Sequence, residues 1–278
     1  MMRAEGPTEE QFDKYRALKL YLRELGSVAV AFSAGVDSTF LLKTAWDELG
    51  DGVIALTAKA PFVPQRETQE TVKFCQREGI RQYFCNMEIS QIDGFAQNPR
   101  NRCYLCKKVL FGKMMETARE HNAEYVVEGS NVDDLGDYRP GMQAVEELEI
   151  KSPLKDCGLT KEDIRVLSKY LGLETWDKPS FACLASRFAY GQRISEETLG
   201  VVERAEQILM DMGFGQFRVR VHGDLARIEV PQESFPVLTK PEHCQKIVQV
   251  LKESGFTYVT MDLAGYRTGS MNEILKEQ

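Results

Sequence analysis

A short polar segment interrupts an apolar run near the start of the chain. In "AVAFSAGVDSTFLL", two serines, a glycine and an aspartate stand between residues that suit a buried strand and residues that suit a helix. The first-turn amides of such a helix, together with its dipole, form an anion site, and serine hydroxyls add further donors. The segment is therefore a candidate phosphate-binding loop, here called the phosphate loop, made of Ser33, Ala34, Gly35, Val36, Asp37 and Ser38.

The aspartate of the phosphate loop places a negative charge where phosphates would bind. A carboxylate suits such a site when a cation lies between it and the phosphates, and Mg²⁺ is the usual cation of nucleotide sites. We therefore predict Asp37 as a Mg²⁺ ligand, and Asp37 and Ser38 as catalytic residues. No Gly-Lys-Ser/Thr closes the segment, so it is not a Walker loop. A serine- and glycine-rich turn without a ligand is the alternative interpretation.

Three of the seven cysteines stand in patterns that indicate chemistry. Cys103 and Cys106 form a C-x-x-C pair at the start of a predicted helix, and Cys183 lies in "SFACLASR". An odd number of cysteines is typical of reduced thiols, ligands or nucleophiles rather than of a disulfide framework. A pair with a distant third thiol is compatible with an iron-sulfur cluster, with catalytic zinc or with packing. The remaining cysteines are expected to be packing residues: Cys75, Cys85, Cys157 and Cys244.

Strand and helix patterns alternate through the first part of the chain. Short apolar runs predict strands in "SVAVAF", "DGVIALTA", "RQYFCNM" and "AEYVVEGS", and the amphipathic segments between them predict helices. Such alternation with short connections predicts an α/β fold, with a parallel sheet and helices on both of its faces. Thr160 and Asp163 predict a capping box at the start of a later helix.

The pattern changes after "WDKPSFACLASRFAYGQR". The segment "SEETLGVVERAEQILMDMG" predicts one helix capped by Ser195. "FRVRVHGDLARIEV" alternates with period two around Gly223 and Asp224, which is typical of an antiparallel hairpin, and "TYVTMDL" predicts another strand. We therefore expect a first domain at residues 1–187 and a smaller C-terminal α+β domain at residues 188–278.

The first strand of the predicted hairpin carries basic side chains on one face. Arg218, Arg220 and His222 share that face because side chains alternate along a strand. Arginine suits bidentate contact with phosphate, and Arg187 and Glu229 would complete a pocket. Arg187, Arg218, Arg220 and Glu229 are therefore candidates for binding a substrate phosphate. An exposed face with charges paired across the strands is the alternative.

Composition argues against two classes of partner. The chain of 278 residues has a formal net charge of −7, so it lacks the basic footprint of a nucleic-acid-binding protein. It opens with the polar segment "MMRAEGPTEEQFDKY", and no apolar run approaches the roughly 18 residues of a membrane span. We expect a cytoplasmic protein without nucleic-acid or membrane partners.

The phosphate loop resembles the S-G-G-x-D-S loop of PP-loop ATP pyrophosphatases, with Ala34 in place of the first glycine. Alanine is compatible with that position if its φ is negative. The blocks "EGSNVDDLGDYRPGMQAVEE", "SPLKDCGLTKEDIRVLSKYLGL", "WDKPSFACLASRFAYG" and "LAGYRTGS" resemble the LarE family. These are PP-loop sulfur transferases of the lactate racemase nickel-pincer cofactor pathway. The resemblance runs from the phosphate loop to the C-terminus, and it implies a PP-loop (adenine nucleotide alpha hydrolase-like) fold.

The resemblance also implies a reaction. ATP adenylylates a carboxylate of pyridinium-3,5-biscarboxylic acid mononucleotide and releases pyrophosphate, and sulfur then displaces AMP to leave a thiocarboxylate. In some family members the sulfur comes from the residue at the Cys183 position, which becomes dehydroalanine. In others, cysteines like Cys103, Cys106 and Cys183 hold a 4Fe-4S cluster whose open iron delivers hydrosulfide. The ATP-binding residues outside the phosphate loop are predicted to be Thr57, Lys59, Gly129, Asn131, Asp134 and Arg139.

Two other classes of protein fit part of this pattern. A tRNA thiolase, or another PP-loop ligase that forms an amide or thio bond, would use the same loop, but it should carry a basic face that this acidic chain lacks. A non-enzymatic sensor would bind ATP and a cluster without releasing AMP or pyrophosphate. The resemblance further implies a homo-oligomer that takes up sulfide or cysteine-derived sulfur.

Overall fold

The computed structural model describes residues 6–136, 140–179, 182–267 and 269–270. The chain divides into two compact units. The first unit comprises Met1–Ile92 and Asn101–Phe181, and the second comprises Asp93–Arg100 and Ala182–Gln278. The short segment 93–100 thus belongs with the C-terminal part of the chain, which the sequence pattern does not indicate.

A parallel sheet forms the centre of the first unit. Its described strands are β1 (Val28–Ala31), β2 (Val53–Lys59), β3 (Arg81–Asn86) and β4 (Tyr125–Val127), in the order β3-β2-β1-β4. Val28 pairs with Val53 on one side and with Tyr125 on the other, which places β1 in the interior of the sheet. The phosphate loop follows this interior strand.

Helices cover both faces of the sheet, as the alternating pattern predicts. On one face, Val28 and Val30 pack in a cluster with residues of the first, second and seventh helices, including Leu18 and Phe40. On the other face, Ala29 packs with residues of the fourth and fifth helices. The helices are α1 (Glu9–Leu25), α2 (Val36–Leu49), α3 (Gln65–Glu78), α4 (Arg102–Glu120), α5 (Gly141–Glu147), α6 (Pro153–Asp156) and α7 (Lys161–Tyr170). The predicted α/β architecture is confirmed.

The start of α7 has the predicted capping box. The Thr160 hydroxyl accepts a hydrogen bond from the Asp163 amide, and the Asp163 carboxylate accepts one from the Thr160 amide. Burial acts to raise the pKa of Asp163. Hydrogen bonds from the Thr160 backbone, Lys14 and Gln11 outweigh that effect and lower the pKa to about 2. The cap is therefore strongest with Asp163 ionised.

The second unit is a smaller α+β structure. The helix α8 (Glu196–Asp211) is capped by Ser195, as predicted. The strands β5 (Arg218–His222) and β6 (Leu225–Glu229) form the predicted antiparallel hairpin, and β7 (Tyr258–Met261) pairs with β6 in parallel. The other helices of this unit are α9 (Phe235–Leu238) and α10 (Pro241–Glu253).

Short 3₁₀ turns connect several of these elements. They span Gly50–Gly52, Ile89–Gln91, Phe95–Gln97, Val132–Gly136, Glu174–Asp177, Leu184–Arg187 and Gln232–Ser234. Across the described ranges, every helix is too short or too polar to cross a membrane.

Candidate functional site

The phosphate loop connects β1 to α2 at the carboxyl edge of the sheet. Gly35 is the N-cap residue of α2, with extended backbone (φ −78°, ψ 168°), and no side chain caps this helix. The first-turn amides of α2 are thus left for a ligand, which is the arrangement of an anion site. A Cβ placed on Gly35 would lie 3.5 Å from Ser33 Oγ and 3.8 Å from Ser38 Oγ, so both hydroxyls face the α-carbon of Gly35.

Ala34 has a backbone conformation that its sequence context does not predict. Its φ is +55°, in the left-handed region, and its side chain is buried in the core. The negative φ that would make alanine compatible with this position is therefore not found. An L-residue in this region costs about 1–2 kcal/mol relative to a right-handed conformation. The residue with left-handed backbone is thus an alanine, although glycine would adopt this conformation at a lower conformational cost. The glycine of the loop has an ordinary φ.

Asp37 is held by two polar partners. Its Oδ2 forms an ion pair with Lys161 Nζ, and its Oδ1 accepts a hydrogen bond from Asn131 Nδ2 at 3.3 Å. Lys161 is the first residue of α7, and its backbone amide donates to Asp133 Oδ2 at 2.8 Å. Lys161 was not predicted from the sequence. The signal that would have found it is a lysine in a helix first turn, where the helix dipole disfavours a cation.

The phosphate loop opens onto a cavity of about 410 Å³, which falls in the usual size range of small-molecule sites. The cavity is lined by Ala31, Ser33, Gly35, Asp37, Ser38, Lys107, Phe111, Glu128, Gly129, Ser130, Asn131, Asp133, Asp134 and Lys161. The structure thus brings most of the predicted ATP-site residues to one place. It adds Lys107, Glu128 and Lys161, which were not predicted from the sequence.

The end of β4 lies directly against the phosphate loop. A Cβ on Gly129 would come within 3.2 Å of the Ser38 amide nitrogen and 3.3 Å of Asp37 Cβ, so only glycine fits this contact without a shift. Glu128 is buried beside it and accepts hydrogen bonds from the Ser130 amide, the Ser130 hydroxyl and the Ser152 hydroxyl, at 3.1, 2.8 and 2.7 Å. These contacts fix the part of the cavity lining that lies beside the loop.

Other predicted ATP-site residues lie elsewhere. Thr57 is buried, donates to the Phe32 carbonyl at 3.1 Å and accepts from Gln82 at 2.8 Å, while Lys59 is exposed at the end of β2. Neither residue lines the cavity. Val36 has its side chain in the core. Arg139 lies outside the described residues, and its predicted role stays a prediction.

The charged groups that line the cavity suit a Mg²⁺ ion that binds together with phosphates. The lining holds the carboxylates of Asp37, Glu128, Asp133 and Asp134 and the ammonium groups of Lys107 and Lys161. Mg²⁺ prefers oxygen ligands and usually takes only one or two protein carboxylates, with phosphate oxygens and water supplying the rest. The oxygen donors near the phosphate loop therefore fit this ion, and Asp37 as its ligand stays a prediction.

In the second unit, a buried ion pair fixes the backbone around Cys183. Arg187 Nε and Nη2 donate to the two carboxylate oxygens of Glu206, each at 2.8 Å, and both side chains are fully buried. Arg187 Nη1 donates to the carbonyls of Ala182 and Cys183, the latter at 2.9 Å. The Ser186 hydroxyl also donates to the Cys183 carbonyl at 2.9 Å. Cys183 itself is half-buried.

The three arginines that were predicted to bind phosphate are buried and lie near one another, with Glu229 beside Arg220. Burial and the neighbouring Arg187 lower the pKa of Arg218 to about 10. Arg220 contacts Glu229 through Nε and Nη2, both at 3.0 Å, and donates to the Ser186 carbonyl at 2.8 Å. Arg187 and Arg220 thus already have partners in the protein. Phosphate binding by this cluster stays a prediction.

The cysteines do not form a metal centre within either unit. Cys103 and Cys106 lie in the first turn of α4 in the first unit, whereas Cys183 belongs to the second unit. In the part of each unit that the structure describes, no group of three or more His, Cys, Asp or Glu side chains could hold a metal ion. The predicted 4Fe-4S cluster uses cysteines of both units, so it stays a prediction.

The other cysteines differ in burial: Cys75 and Cys85 are buried, Cys157 is half-buried and Cys244 is exposed. Burial raises the pKa of the Cys75 thiol to about 12 and that of the Cys157 thiol to about 11, and it also raises the pKa of Cys85. Cys75 and Cys85 are packing residues, as expected. Cys244 is exposed, so the expectation that it packs in an apolar environment is wrong.

Comparison with known proteins gives relatives over nearly the whole chain. The chain is 39% identical to an uncharacterised protein of Synechocystis sp., over 94% of this chain and 98% of that protein. It is 34% identical to pyridinium-3,5-bisthiocarboxylic acid mononucleotide synthase of Lactiplantibacillus plantarum, over 94% of this chain and 95% of the synthase. A more distant relative is one component of the glutamine-hydrolyzing GMP synthase of Pyrococcus abyssi, 24% identical over 87% of this chain and 80% of that component.

No protein-family model matches the chain. The similarity to the L. plantarum synthase nevertheless extends across both units, and it includes the phosphate loop and the segment that contains Cys183. With a parallel sheet that carries the loop after its interior strand, the chain belongs to the LarE family of PP-loop proteins.

Proposed function

We propose that this protein is an ATP-dependent sulfur transferase that converts a carboxylate of pyridinium-3,5-biscarboxylic acid mononucleotide into a thiocarboxylate, with release of AMP and pyrophosphate. The observation that carries the proposal is the cavity in which the phosphate loop, Asp37 and Lys161 meet. The name of the L. plantarum relative, a synthase of the corresponding bisthiocarboxylic acid mononucleotide, supports the substrate class.

In this proposal the phosphate loop binds the β- and γ-phosphates of ATP. The first-turn amides of α2 and the hydroxyls of Ser33 and Ser38 donate to phosphate oxygens. Lys161 exchanges its contact with Asp37 for one with phosphate, because a dianionic phosphate competes well for an ammonium group. Asp37 is then released to ligate Mg²⁺. When bound, Mg²⁺ neutralises charge on the departing pyrophosphate.

Adenylylation precedes sulfur transfer because a free carboxylate is a poor electrophile. A carboxylate oxygen of the substrate attacks the α-phosphorus of ATP, the bond from that phosphorus to the bridging oxygen breaks, and pyrophosphate leaves with the electron pair. The resulting mixed anhydride has AMP as a good leaving group. Loop amides that are already oriented stabilise the charge that develops on the leaving pyrophosphate.

Two sources of sulfur are compatible with the proposal. In the first, the Cys183 thiolate attacks the acyl carbon and displaces AMP. Removal of the Cys183 α-proton then breaks the Cβ–S bond, which leaves dehydroalanine in the protein and the thiocarboxylate in the product. In the second, hydrosulfide attacks the acyl carbon and the protein is unchanged. The hydrogen bonds from Arg187 and Ser186 to the Cys183 carbonyl support the first source, because they hold this backbone in one conformation.

The arginine cluster supports a phosphate-bearing substrate. Burial together with neighbouring guanidinium groups makes the charged form of Arg218 costly, which is why its pKa falls to about 10. A bound phosphate dianion would offset that cost. We therefore propose that Arg218 and Arg220 contact the phosphate of the mononucleotide, and that Arg187 acts mainly through the backbone of Cys183.

Anaerobic turnover with intact-mass analysis tests the proposal. The protein is incubated with ATP, Mg²⁺ and the biscarboxylate, and AMP, pyrophosphate, product and protein masses are measured. We expect AMP release that depends on substrate, and loss of the elements of H₂S at Cys183 if this residue donates the sulfur. Asp37→Ala should abolish AMP release, whereas Asp51→Ala, at an exposed turn, should not. Wild-type protein that binds ATP but never releases AMP or pyrophosphate would disprove the proposal.

A further inference from the structure

Lys178 makes a contact with the phosphate loop that the proposed reaction does not use. Its Nζ donates a hydrogen bond to the Ala34 carbonyl at 2.8 Å and forms an ion pair with Glu70 of α3. The Lys178 side chain is 19% exposed. The lysine therefore lies beneath the loop and does not project freely into solvent.

The backbone at Lys178 is itself fixed. Arg165 of α7 donates from Nη1 to the Trp176 carbonyl at 2.7 Å and from Nη2 to the Lys178 carbonyl at 2.9 Å. One guanidinium group thus holds two carbonyls of this segment in a planar, directional contact. Because its main chain is anchored, the Lys178 side chain reaches the loop from a defined position.

The contact has a geometric consequence for the loop. In a trans peptide the carbonyl and the following N–H point in opposite directions, and no cis peptide occurs among the described residues. With the Ala34 carbonyl directed to Lys178, the Gly35 N–H points away from the lysine. Gly35 lines the cavity, whereas the Ala34 side chain lies in the core. Because Gly35 lines the cavity, an N–H directed away from the lysine is available to a ligand in the anion site.

The backbone of Ala34 is strained. Ala34 has φ +55°, a region that an L-residue occupies at a cost. Rotation about the N–Cα bond of Ala34 to a negative φ would relieve this cost, but it would also displace the Ala34–Gly35 peptide and with it the Gly35 amide. A hydrogen bond that holds the carbonyl in place opposes that rotation.

We infer that Lys178 is a positioning residue that orients the Gly35 amide for the β- and γ-phosphates of ATP, an inference that rests on the proposed function. The effect comes from orientation rather than from a positive field, because Glu70 neutralises the ammonium group. Loss of the lysine should therefore weaken the binding of a ligand that reaches the phosphate loop. It should leave the affinity for a ligand without β- and γ-phosphates unchanged.

Titration calorimetry of the full chain with ATP and with AMP tests this role. We expect Lys178→Met to raise the Kd for ATP about tenfold, the usual effect of losing one hydrogen bond to a charged group, and to change the Kd for AMP by less than about twofold. Adding Ala34→Gly to this variant should recover about threefold or more in ATP affinity, because glycine adopts φ +55° without the Cβ penalty. A residue that only supports the fold would not show this selective rescue.

Lys169→Met is the matched control. Lys169 is exposed and lies over the Trp176 ring, 4.4 Å from its centroid, so it contacts the same segment without contacting the loop. We expect this variant to bind ATP like the wild type. If Lys178→Met does not fold, Lys178→Gln, which keeps a polar side chain but is shorter and uncharged, should show the same selective loss.

The outcomes separate this inference from the proposed function. If the wild type does not bind ATP, both are wrong. If the wild type binds ATP and the Lys178 variants bind it equally well, or lose ATP and AMP affinity to the same extent, only the positioning role is overturned. Selective loss of ATP affinity, with rescue by Ala34→Gly, supports the role.

Discussion

The buried pair of Arg187 and Glu206 allows a quantitative test of what holds the Cys183 segment. Both side chains have 0% exposure, and two hydrogen bonds of 2.8 Å join them. Replacing Arg187 by methionine leaves a carboxylate in the interior without its bidentate partner. Breaking a buried pair in this way costs about 3–5 kcal/mol, whereas replacing both partners by apolar residues is often neutral. Arg187→Met with Glu206→Leu should therefore regain most of the stability that Arg187→Met loses.

The double variant should not regain the local order of the Cys183 segment. Arg187 Nη1 also donates to the Ala182 and Cys183 carbonyls, and an apolar pair provides no donor for them. We therefore expect the double variant to regain stability without regaining the low reactivity of the wild-type Cys183 thiol. In both variants the Cys183 thiol should react with iodoacetamide faster than in the wild type, although only the single variant should be strongly destabilised.

Calorimetry and peptide mass spectrometry measure these two quantities. In a chain of this size, 1 kcal/mol corresponds to about 2–4 °C, so Arg187→Met should lower the unfolding temperature by about 10 °C. The control is Arg16→Met, which breaks an ion pair whose arginine is 56% exposed and should therefore change the unfolding temperature far less. A single variant no less stable than this control would refute the reasoning, and so would a double variant no more stable than the single one.

Four further predictions follow from the site and its supports. Gly35→Ala should fold normally, because its φ is ordinary, but the added methyl lies within 4 Å of both loop hydroxyls and should weaken ATP binding about tenfold by calorimetry. Lys161→Met should slow AMP release about a hundredfold, measured by chromatography, with little loss of stability. Ionised Asp163 stabilises the protein at pH values above the ordinary carboxyl pKa, and this stabilisation is lost as the pH falls towards its folded pKa of about 2. In chemical denaturation, the free energy of unfolding of Asp163→Asn should therefore equal that of the wild type near pH 2 and be lower than it at pH 7. Iodoacetamide should label exposed Cys244 in the native protein and buried Cys85 only after unfolding, by mass spectrometry.

The parallel sheet and the hairpin could be predicted from sequence because hydrophobic periodicity reports burial directly. The residues of β1 and the first four residues of β2 are apolar on both faces, which is typical of strands covered by helices on both sides. Caps are equally local: Thr160 and Ser195 each hydrogen-bond the amide three residues later. Such features depend on residues close together in the chain, so the sequence contains the necessary information.

The contacts that shape the site join residues far apart in the chain, and local patterns do not report them. Lys161 reaches Asp37 across 124 positions, and Arg187 reaches Glu206 from another element. The left-handed conformation of Ala34 also depends on its surroundings, because alanine has no intrinsic preference for it. The exposure of Cys244 could not be predicted, because apolar residues next to it in the sequence do not decide which face of a helix is buried.

Helix α7 supports the phosphate loop from two directions, although its sequence indicates only an amphipathic helix with a good cap. Lys161 and Arg165 are four residues apart and therefore lie on neighbouring positions of the same helical face. Lys161 contacts Asp37 on the cavity side of the loop, while Arg165 anchors the backbone of Lys178, whose side chain holds the Ala34 carbonyl. A displacement of α7 would thus disturb a charged contact and an amide orientation together. We therefore expect loss of the cap at Asp163 to affect the site as well as the helix.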